Sequence, residues 1–436
     1  MSADNGRGRA WSITFLLFVF MMVNYIDKVA IGLVAVPLIE EFGLTPSQFG
    51  LLASSFYWLF PVACIGGGFL ANRFQAKWLL LAMALIWSLS QLPIVFASSV
   101  TAIIVARVLL GIGEGPASSL ATHAVFKWFP NSERNLPQTV ILMGATFGLM
   151  VASLVVPQVT ARWGWRFNFE LLAVIGVVWM VAWLIFGAEG TIDAEPSVGG
   201  STQTTNAPAI PYRRLLSDPT IWSAMVLHFV ADWTVVLSMT WLPVYLQKGL
   251  GFDAIASGRL FGLIVIVSVP INLLVSWWSQ RMLVRGTGSR AARAVLSSLA
   301  VAIAGALMIC LLLPGLSAMQ KVCLMAIAIG LSITVFTLAI SIIAEVTPTS
   351  QRGALLSISN AVATVGTLPA PVVTGWLIES TSGLSSAHGY ELGFGLTGVL
   401  MVLGAAVGLI WNDPERSIQR QAQRAQDRSR SAPATG

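Results

Sequence analysis

The sequence has few charged residues and few cysteines. Charged residues make up 10% of the 436 positions, whereas an ordinary soluble domain has about 25%, and this low share excludes a soluble globular protein. The cysteines, Cys64, Cys310 and Cys323, lie in or beside apolar runs at spacings that fit no metal site, so we interpret them as small hydrophobic side chains. The sequence also has no nucleophile–base set or metal motif, so we expect neither an enzyme nor a bound cofactor.

The sequence is instead rich in long apolar runs, and 56% of its residues are hydrophobic. The runs are about 20 residues long and do not alternate with polar residues, which predicts membrane-spanning helices and excludes a β-barrel. Hydropathy predicts an all-α membrane protein with twelve spans. Their approximate limits are 11–38, 47–71, 77–97, 100–125, 136–161, 166–187, 219–246, 255–279, 293–314, 319–345, 353–379 and 391–411.

The basic residues indicate the orientation of these spans. The net charge is +6, but Lys and Arg lie mostly between spans on the side of the two termini, so the charge reflects topology and does not predict nucleic-acid binding. Because cytoplasmic loops carry an excess of Lys and Arg, we expect both termini in the cytoplasm. The expected location is a bacterial inner membrane, with the lipid bilayer as partner and a monomeric chain.

A polar stretch after the sixth span divides the chain. Residues 188–213 are rich in Gly, Ser, Thr and Pro, which is typical of a flexible linker. They predict an N-terminal half, 1–187, and a C-terminal half, 214–412, with six helices each. Residues 413–436 are polar and basic, and we expect them to form a disordered cytoplasmic tail.

The two halves share short motifs at nearly the same offset. Pro130-Asn-Ser-Glu-Arg134 follows the fourth span and Pro348-Thr-Ser-Gln-Arg352 follows the tenth. Pro157-Gln-Val-Thr160 and Pro371-Val-Val-Thr374 form a second pair. A duplicated six-helix unit is typical of transporters.

Two charges lie inside the first apolar run, at Asp27 and Lys28. A charged side chain near a bilayer centre costs at least ~2.5–3.5 kcal/mol on insertion scales, so a simple anchor would not carry them. The pattern favours side chains that face a polar cavity and act on ions or protons. The alternative is a structural ion pair that holds two helices together.

A second charged pair, Arg107 and Glu114, lies in the fourth span. Seven residues make two helical turns, so both side chains share one face about 10 Å apart along the axis. Gly111, Gly113 and Gly115 leave room there for a helix or a ligand. Arg107 is near the start of its span, so the alternative for it is snorkelling to the interface, whereas Glu114 is deeper.

Together, these two pairs predict that the cations bind a substrate anion and that the acids bind a proton. Arg107 can bind a carboxylate with two hydrogen bonds. A buried carboxylate nearby changes its proton affinity with the charge around it, so its protonation can depend on substrate binding. This is the minimum machinery for coupled transport of protons and an anion.

Four segments resemble the major facilitator superfamily, and within it they are most similar to the anion:cation symporter family. They are Asn24-Tyr-Ile-Asp-Lys28, Arg107 to Pro116, Lys127-Trp-Phe-Pro-Asn-Ser-Glu-Arg134 and Thr240-Trp-Leu-Pro-Val-Tyr245. The resemblance covers the span region from Trp11 to Trp411, and it implies the major facilitator fold of two six-helix halves.

The resemblance also implies roles for individual residues. It implies that Asp27 and Glu114 are protonatable and that Lys28 and Arg107 meet the substrate anion. It implies that Tyr25 lines the cavity and that Asn360 contacts substrate from the second half.

The loop after the second span departs from the family pattern. Asn72 replaces the usual Asp and Gln75 the usual Gly, in a gating loop that also contains Arg73 and Lys77. Asn72 loses a charge that would pair across the cytoplasmic gate. In addition, Lys28 replaces the Arg of many members, and its point charge changes the geometry of anion binding.

His228 and Asp232 are four residues apart in the seventh span and can share one helix face. They are a possible second proton site, and the alternative is a hydrogen-bonded structural pair. Overall the sequence predicts proton-coupled uptake of a small organic anion, such as a sugar acid or an aromatic carboxylate, by alternating access. The alternatives are a proton-driven exporter of drugs or cations, which Lys28 and Arg107 disfavour, and a non-transporting membrane sensor.

Overall fold

A computed structural model describes residues 3–71, 73–130, 133–190, 210–348, 351–381, 383 and 386–431. The described residues form helices and no strand. The helices up to residue 216 are α1 Ala3–Leu33, α2 Ala35–Phe42, α3 Pro46–Ser54, α4 Phe60–Ala71, α5 Ala76–Val95, α6 Val100–Glu114, α7 Ala117–Phe126, α8 Asn135–Trp163, α9 Arg166–Phe186 and α10 Tyr212–Leu216. The others are α11 Pro219–Thr240, α12 Leu242–Val244, α13 Ala254–Val284, α14 Leu296–Cys310, α15 Ala318–Ile333, α16 Val335–Val346, α17 Arg352–Thr367, α18 Ala370–Ser380, α19 His388–Trp411 and α20 Pro414–Ser431.

Within the described residues, 12 helical segments are long and apolar enough to cross a membrane, which confirms the predicted number. They are Arg7–Leu33, Pro46–Ala71, Ala76–Val95, Val100–Phe126, Leu136–Trp163, Arg166–Phe186, Pro219–Thr240, Ala254–Val284, Arg290–Cys310, Ala318–Val346, Ala354–Ser380 and His388–Trp411. Helices suit such apolar sequence because every backbone N–H and C=O can pair inside its own segment.

Several spans contain a break that hydropathy does not detect. In the second span a short 3₁₀ helix, Ser55–Tyr57, separates α3 from α4. In the fourth span α6 ends at Glu114, just before Pro116. Proline has no backbone N–H and cannot continue the hydrogen-bond ladder, so the helix is interrupted next to a buried acid.

Gly111 allows these two interrupted spans to approach each other closely. A Cβ atom at Gly111 would lie 1.9 Å from the backbone oxygen of Phe56. Only a residue without a side chain therefore allows α6 to cross the 3₁₀ helix at this distance. The crossing places the charged face of α6 beside the aromatic side chains of the second span.

By backbone contacts the chain forms two units. Unit 1 contains residues 1–202, 236–266 and 368–393, and unit 2 contains residues 203–235, 267–367 and 394–436. The predicted sequence halves, 1–187 and 214–412, stay predictions, and most of the predicted linker lies outside the described residues.

Unit 1 has an aromatic core in its first six spans. The ring of Phe20 in α1 lies 4.8 Å from that of Trp87 in α5 and 4.9 Å from that of Trp179 in α9. Trp183 continues the stack, 5.1 Å from Trp179. All four side chains are buried, and they fix α1 and α5 beside each other.

The C-terminal stretch is helical where the sequence predicts a disordered tail. The helix α20, Pro414–Ser431, begins with contacts inside unit 2: Ser417 Oγ donates to Asp218 Oδ2 at 2.7 Å, and Gln421 Nε2 donates to the Val346 oxygen at 3.0 Å. Hydropathy misses a helix that is polar throughout and docked by hydrogen bonds, so the expectation is corrected for α20. Residues 432–436 lie outside the described residues.

Candidate functional site

The charged stretch of α1 contains both buried and half-buried side chains. Asn24 is fully buried and Asp27 is 1% exposed, while Tyr25 and Lys28 are half-buried. Residues three and four apart share a helix face, so Asn24, Asp27 and Lys28 point to the same side of α1.

Asp27 receives a hydrogen bond from a neighbouring helix. Gln91 Nε2 in α5 donates to Asp27 Oδ1 at 2.8 Å. The other carboxyl oxygen, Oδ2, has no hydrogen-bond partner among the described residues. One oxygen of this acid therefore accepts a hydrogen bond, and the other has no donor among the described residues.

Arg107 is buried and does not reach an interface, unlike the snorkelling alternative. Its side chain is 1% exposed. Its Nη1 donates to the backbone oxygen of Asp27 at 3.3 Å, and its guanidinium lies 4.8 Å from the centre of the Phe56 ring. Its Nε has no partner in the described part of the chain, so the guanidinium keeps donors for another ligand.

Glu114 is fully buried at the end of α6. Its carboxyl group interacts with that of Asp27. No donor group of the described residues reaches either of its oxygens. Two ionised carboxylates in contact repel each other, so this pair of acids is suited to holding a proton.

Lys28 is surrounded by aromatic rings. Its Nζ lies 4.5 Å from the centre of the Tyr25 ring and 5.2 Å from that of Phe60. Ring faces stabilise a cation but leave its N–H groups free to donate. Neither Lys28 nor Arg107 forms an ion pair with an acidic side chain among the residues that the structure describes.

The site therefore combines two acids that interact with each other and two cations without an acidic partner in the described residues. All four groups lie in unit 1, on α1 and α6. Such a site can bind an anion through the cations and a proton through the acids.

Comparison with known proteins identifies the family of this chain. The model of the Major Facilitator Superfamily matches residues 13–339 and 288–434. This chain belongs to the Major Facilitator Superfamily. It is an integral, multi-pass membrane protein of a transporter family and not an enzyme, and a small-molecule substrate follows from the family.

Curated relatives of this superfamily member carry names of anion transporters. A probable sulfoacetate transporter of Cupriavidus necator is 32% identical, over 89% of this chain and 91% of the relative. The hexuronate transporter of Bacillus subtilis is 25% identical, over 85% of this chain and 89% of the relative. These names are consistent with the anion:cation symporter family that the sequence motifs resemble.

Solved structures confirm the major facilitator fold. A bacterial homologue of the human lysosomal transporter Spinster, in an inward-facing conformation, has a TM-score of 0.78 at 18% identity and covers 95% of this chain and 98% of its own. A D-xylose-proton symporter has a TM-score of 0.71 at 16% identity and covers 93% and 99%.

The predicted residues of the second half lie in unit 2. His228 is buried, its Nδ1 lies 3.1 Å from Ser359 Oγ, and its ring packs edge-on against Phe336 at 5.3 Å. Asp232 is half-buried one turn further along α11, and Asn360 is exposed on α17 beside Ser359. The structure thus joins His228 to a serine that the sequence analysis did not single out.

The structure describes part of the predicted gating loop. Asn72 lies outside the described residues, and Arg73 is exposed. The backbone of Lys77, at the start of α5, is held by two side chains: its N–H donates to Glu189 Oε2 at 3.1 Å, and its oxygen accepts from Trp183 Nε1 at 3.0 Å.

Glu189 was not predicted, although it ties three spans together. It also accepts hydrogen bonds from the backbone N–H of Ala76, at 3.3 Å, and from Lys127 Nζ. Burial by itself would raise the pKa of Glu189, but Lys127 and the two amides at the start of α5 lower it overall. An ionised carboxylate is favourable at a helix N-terminus, so Glu189 acts as a clamp on α5.

Gln91 is the site residue that sequence reasoning missed. An amide carries no charge, and charged residues were the ones singled out within the spans. The available signal is that Gln91 is the only amide side chain in the predicted third span, 77–97. An amide buried in a bilayer needs a partner, and in this case the partner is Asp27.

Proposed function

We propose that this protein is a proton-coupled symporter that takes up a small organic anion. Asp27 and Glu114 would carry the proton, and Lys28 and Arg107 would bind the anion, with Tyr25 beside Lys28. The observation that carries the proposal is the presence of two cations without an acidic partner, among the described residues, beside two interacting buried acids.

The names of the relatives support the class of substrate. Sulfoacetate and hexuronates each carry at least one acid group on a small polar skeleton. An acid group of this kind can accept from both Lys28 and the planar guanidinium of Arg107. A drug or cation exporter is disfavoured because a cationic substrate would be repelled by Lys28 and Arg107.

Transport would proceed by alternating access of two six-helix halves, each monomer acting alone in the bacterial inner membrane with both termini in the cytoplasm. Asn360, His228 and Asp232 are proposed contributions of the second half, to substrate contact and to a second proton site. Nucleic acid has no part in this proposal.

The test is uptake by proteoliposomes that contain the purified full chain. The probes are sulfoacetate, D-glucuronate and D-glucarate, with tetraethylammonium as a cationic probe. We expect at least one acid to accumulate against its gradient only when the lumen is the less acidic side. Transport of tetraethylammonium without transport of any acid would overturn the proposal.

A variant separates coupling from binding in the same assay. Glu114→Gln imitates a permanently protonated acid, so uphill accumulation should fall at least ~10-fold while counterflow exchange continues, because exchange requires only that the loaded carrier reorients. Normal uphill uptake in Glu114→Gln would remove Glu114 from the coupling mechanism.

A further inference from the structure

Gln91 is the amide of α5 that meets the acid of α1. Its side chain is fully buried, and its Nε2 donates to Asp27 Oδ1 at 2.8 Å. Its Oε1 has no hydrogen-bond partner among the described residues. Leaving that oxygen without a partner is unfavourable, so packing alone does not explain a glutamine here, since a methionine would fill the same volume.

The bond distinguishes the two oxygens of Asp27. An amide N–H donates, so Oδ1 is held as an acceptor. The exchangeable proton of Asp27 then belongs on Oδ2, which has no partner in the described part of the chain. Without the amide, the carboxyl group could rotate and exchange the roles of its oxygens.

We propose that Gln91 is a positioning residue for proton coupling, which holds Asp27 in one orientation and keeps Oδ2 as the oxygen that exchanges the proton. The inference deepens the proposed function and rests on it for its consequence in transport. Gln91 itself neither binds the proton nor contacts the substrate in this proposal.

Other groups around Asp27 set its charge environment as well. From α6, Arg107 donates to the Asp27 backbone oxygen, and the Glu114 carboxyl interacts with the Asp27 carboxyl. Lys28 lies next to it on α1 and acts at longer range. Among the described residues only Gln91 provides a side-chain N–H group to the Asp27 carboxyl, so its contribution can be removed separately.

The test uses Gln91→Met, which keeps the volume and removes the amide, and Gln91→Asn, which keeps an amide too short to reach. The matched control is Ser90→Ala, because Ser90 is buried on the same helix and its hydroxyl donates only to the Trp87 oxygen, at 2.7 Å. The first readout is the infrared band of the protonated Asp27 carboxyl group, assigned by its loss in Asp27→Asn. The second is the pH profile of acid-driven uptake of the transported probe.

A hydrogen-bond donor favours the ionised form of a carboxylate. Loss of the Gln91 amide should therefore let Asp27 keep its proton to higher pH. We expect both Gln91 variants to move the infrared titration and the uptake profile upward by about one pH unit, with the control unchanged.

Two results would overturn the inference. One is an infrared titration in both Gln91 variants that superimposes on wild type. The other is loss of the folded protein in both variants while Ser90→Ala folds, because Gln91 would then be structural. The infrared readout needs no substrate, so wild type that transports none of the acids would count against the proposed function and leave this test intact.

Discussion

At the scale of single residues, the guanidinium of Arg107 is held loosely for a buried charge. Among the described residues, it donates one hydrogen bond, of 3.3 Å, to the backbone oxygen of Asp27 and makes one ring contact with Phe56. A buried cation pays a large desolvation cost, and an anionic ligand would compensate for it. We therefore regard Arg107 as the anchor for the substrate acid group.

This gives a prediction for Arg107→Lys. The substitution keeps the charge but removes the planar fork that bonds both oxygens of an acid group. We expect the half-saturation concentration in counterflow to rise roughly 10-fold or more, with a normal yield of folded protein. The control is Arg162→Lys, since Arg162 is exposed. An unchanged half-saturation concentration would show that the substrate does not engage Arg107.

The same scale shows what the sequence could predict about the site. Asp27, Arg107 and Glu114 could be singled out from the sequence because a full charge in an apolar run is rare and costly. Gln91 was missed because an amide is tolerated in such a run. Phe56 was missed because its contact with Arg107 depends on how the second and fourth spans cross, which a single sequence does not specify.

At the scale of helices, the sequence predicts that the spans exist, but it does not predict the breaks within them or the contacts between them. Spans follow from length and apolar content. The break at Ser55–Tyr57 and the close approach of Gly111 to Phe56 depend on tertiary contacts. The polar helix α20 was missed for the same reason, because hydrogen bonds from Ser417 and Gln421 dock it to unit 2.

The clamp on α5 yields a prediction at this scale. Glu189→Gln removes the charge at the helix N-terminus and the ion pair with Lys127, and we expect a loss of about 1 kcal/mol in stability at neutral pH. Folding lowers the pKa of Glu189 below its usual value. The stability that Glu189 contributes is therefore fully present at pH values above its unfolded-state pKa, and it is lost as the pH falls through its folded-state pKa. Wild type and variant should therefore converge in acid.

The measurement is the apparent melting temperature of the purified protein at neutral and acidic pH. The control is Glu170→Gln, an exposed glutamate near the start of α9. A variant that melts with wild type at neutral pH, or a difference that persists unchanged at pH values well below 4, would contradict the clamp.

At the scale of the whole molecule, the distribution of the basic residues predicts how the chain is oriented in the membrane. An even number of spans places both termini on one side, and the loops on that side hold most of the Lys and Arg residues. Arg162 lies at the end of the fifth span and Arg285 follows the eighth, so the topology predicts that they lie on opposite sides of the membrane. Both side chains are exposed, so each can report its side through a cysteine.

The background for this test replaces the native thiols as Cys64→Ser, Cys310→Ala and Cys323→Ala. Serine is chosen at position 64 because Cys64 Sγ donates to the Gly115 oxygen at 2.8 Å, next to Glu114, and a hydroxyl keeps a donor there. Transport by this background must match wild type before any labelling result is interpreted.

In intact cells, a membrane-impermeant maleimide should label Arg162→Cys and leave Arg285→Cys unlabelled, because only the first thiol would face the outside. Opening the cells should make Arg285→Cys reactive, which shows that its thiol is accessible once the membrane barrier is removed. The reverse pattern would place both termini outside. The proposed direction of transport would not change, because symport follows the proton gradient across the membrane and not the orientation of the chain.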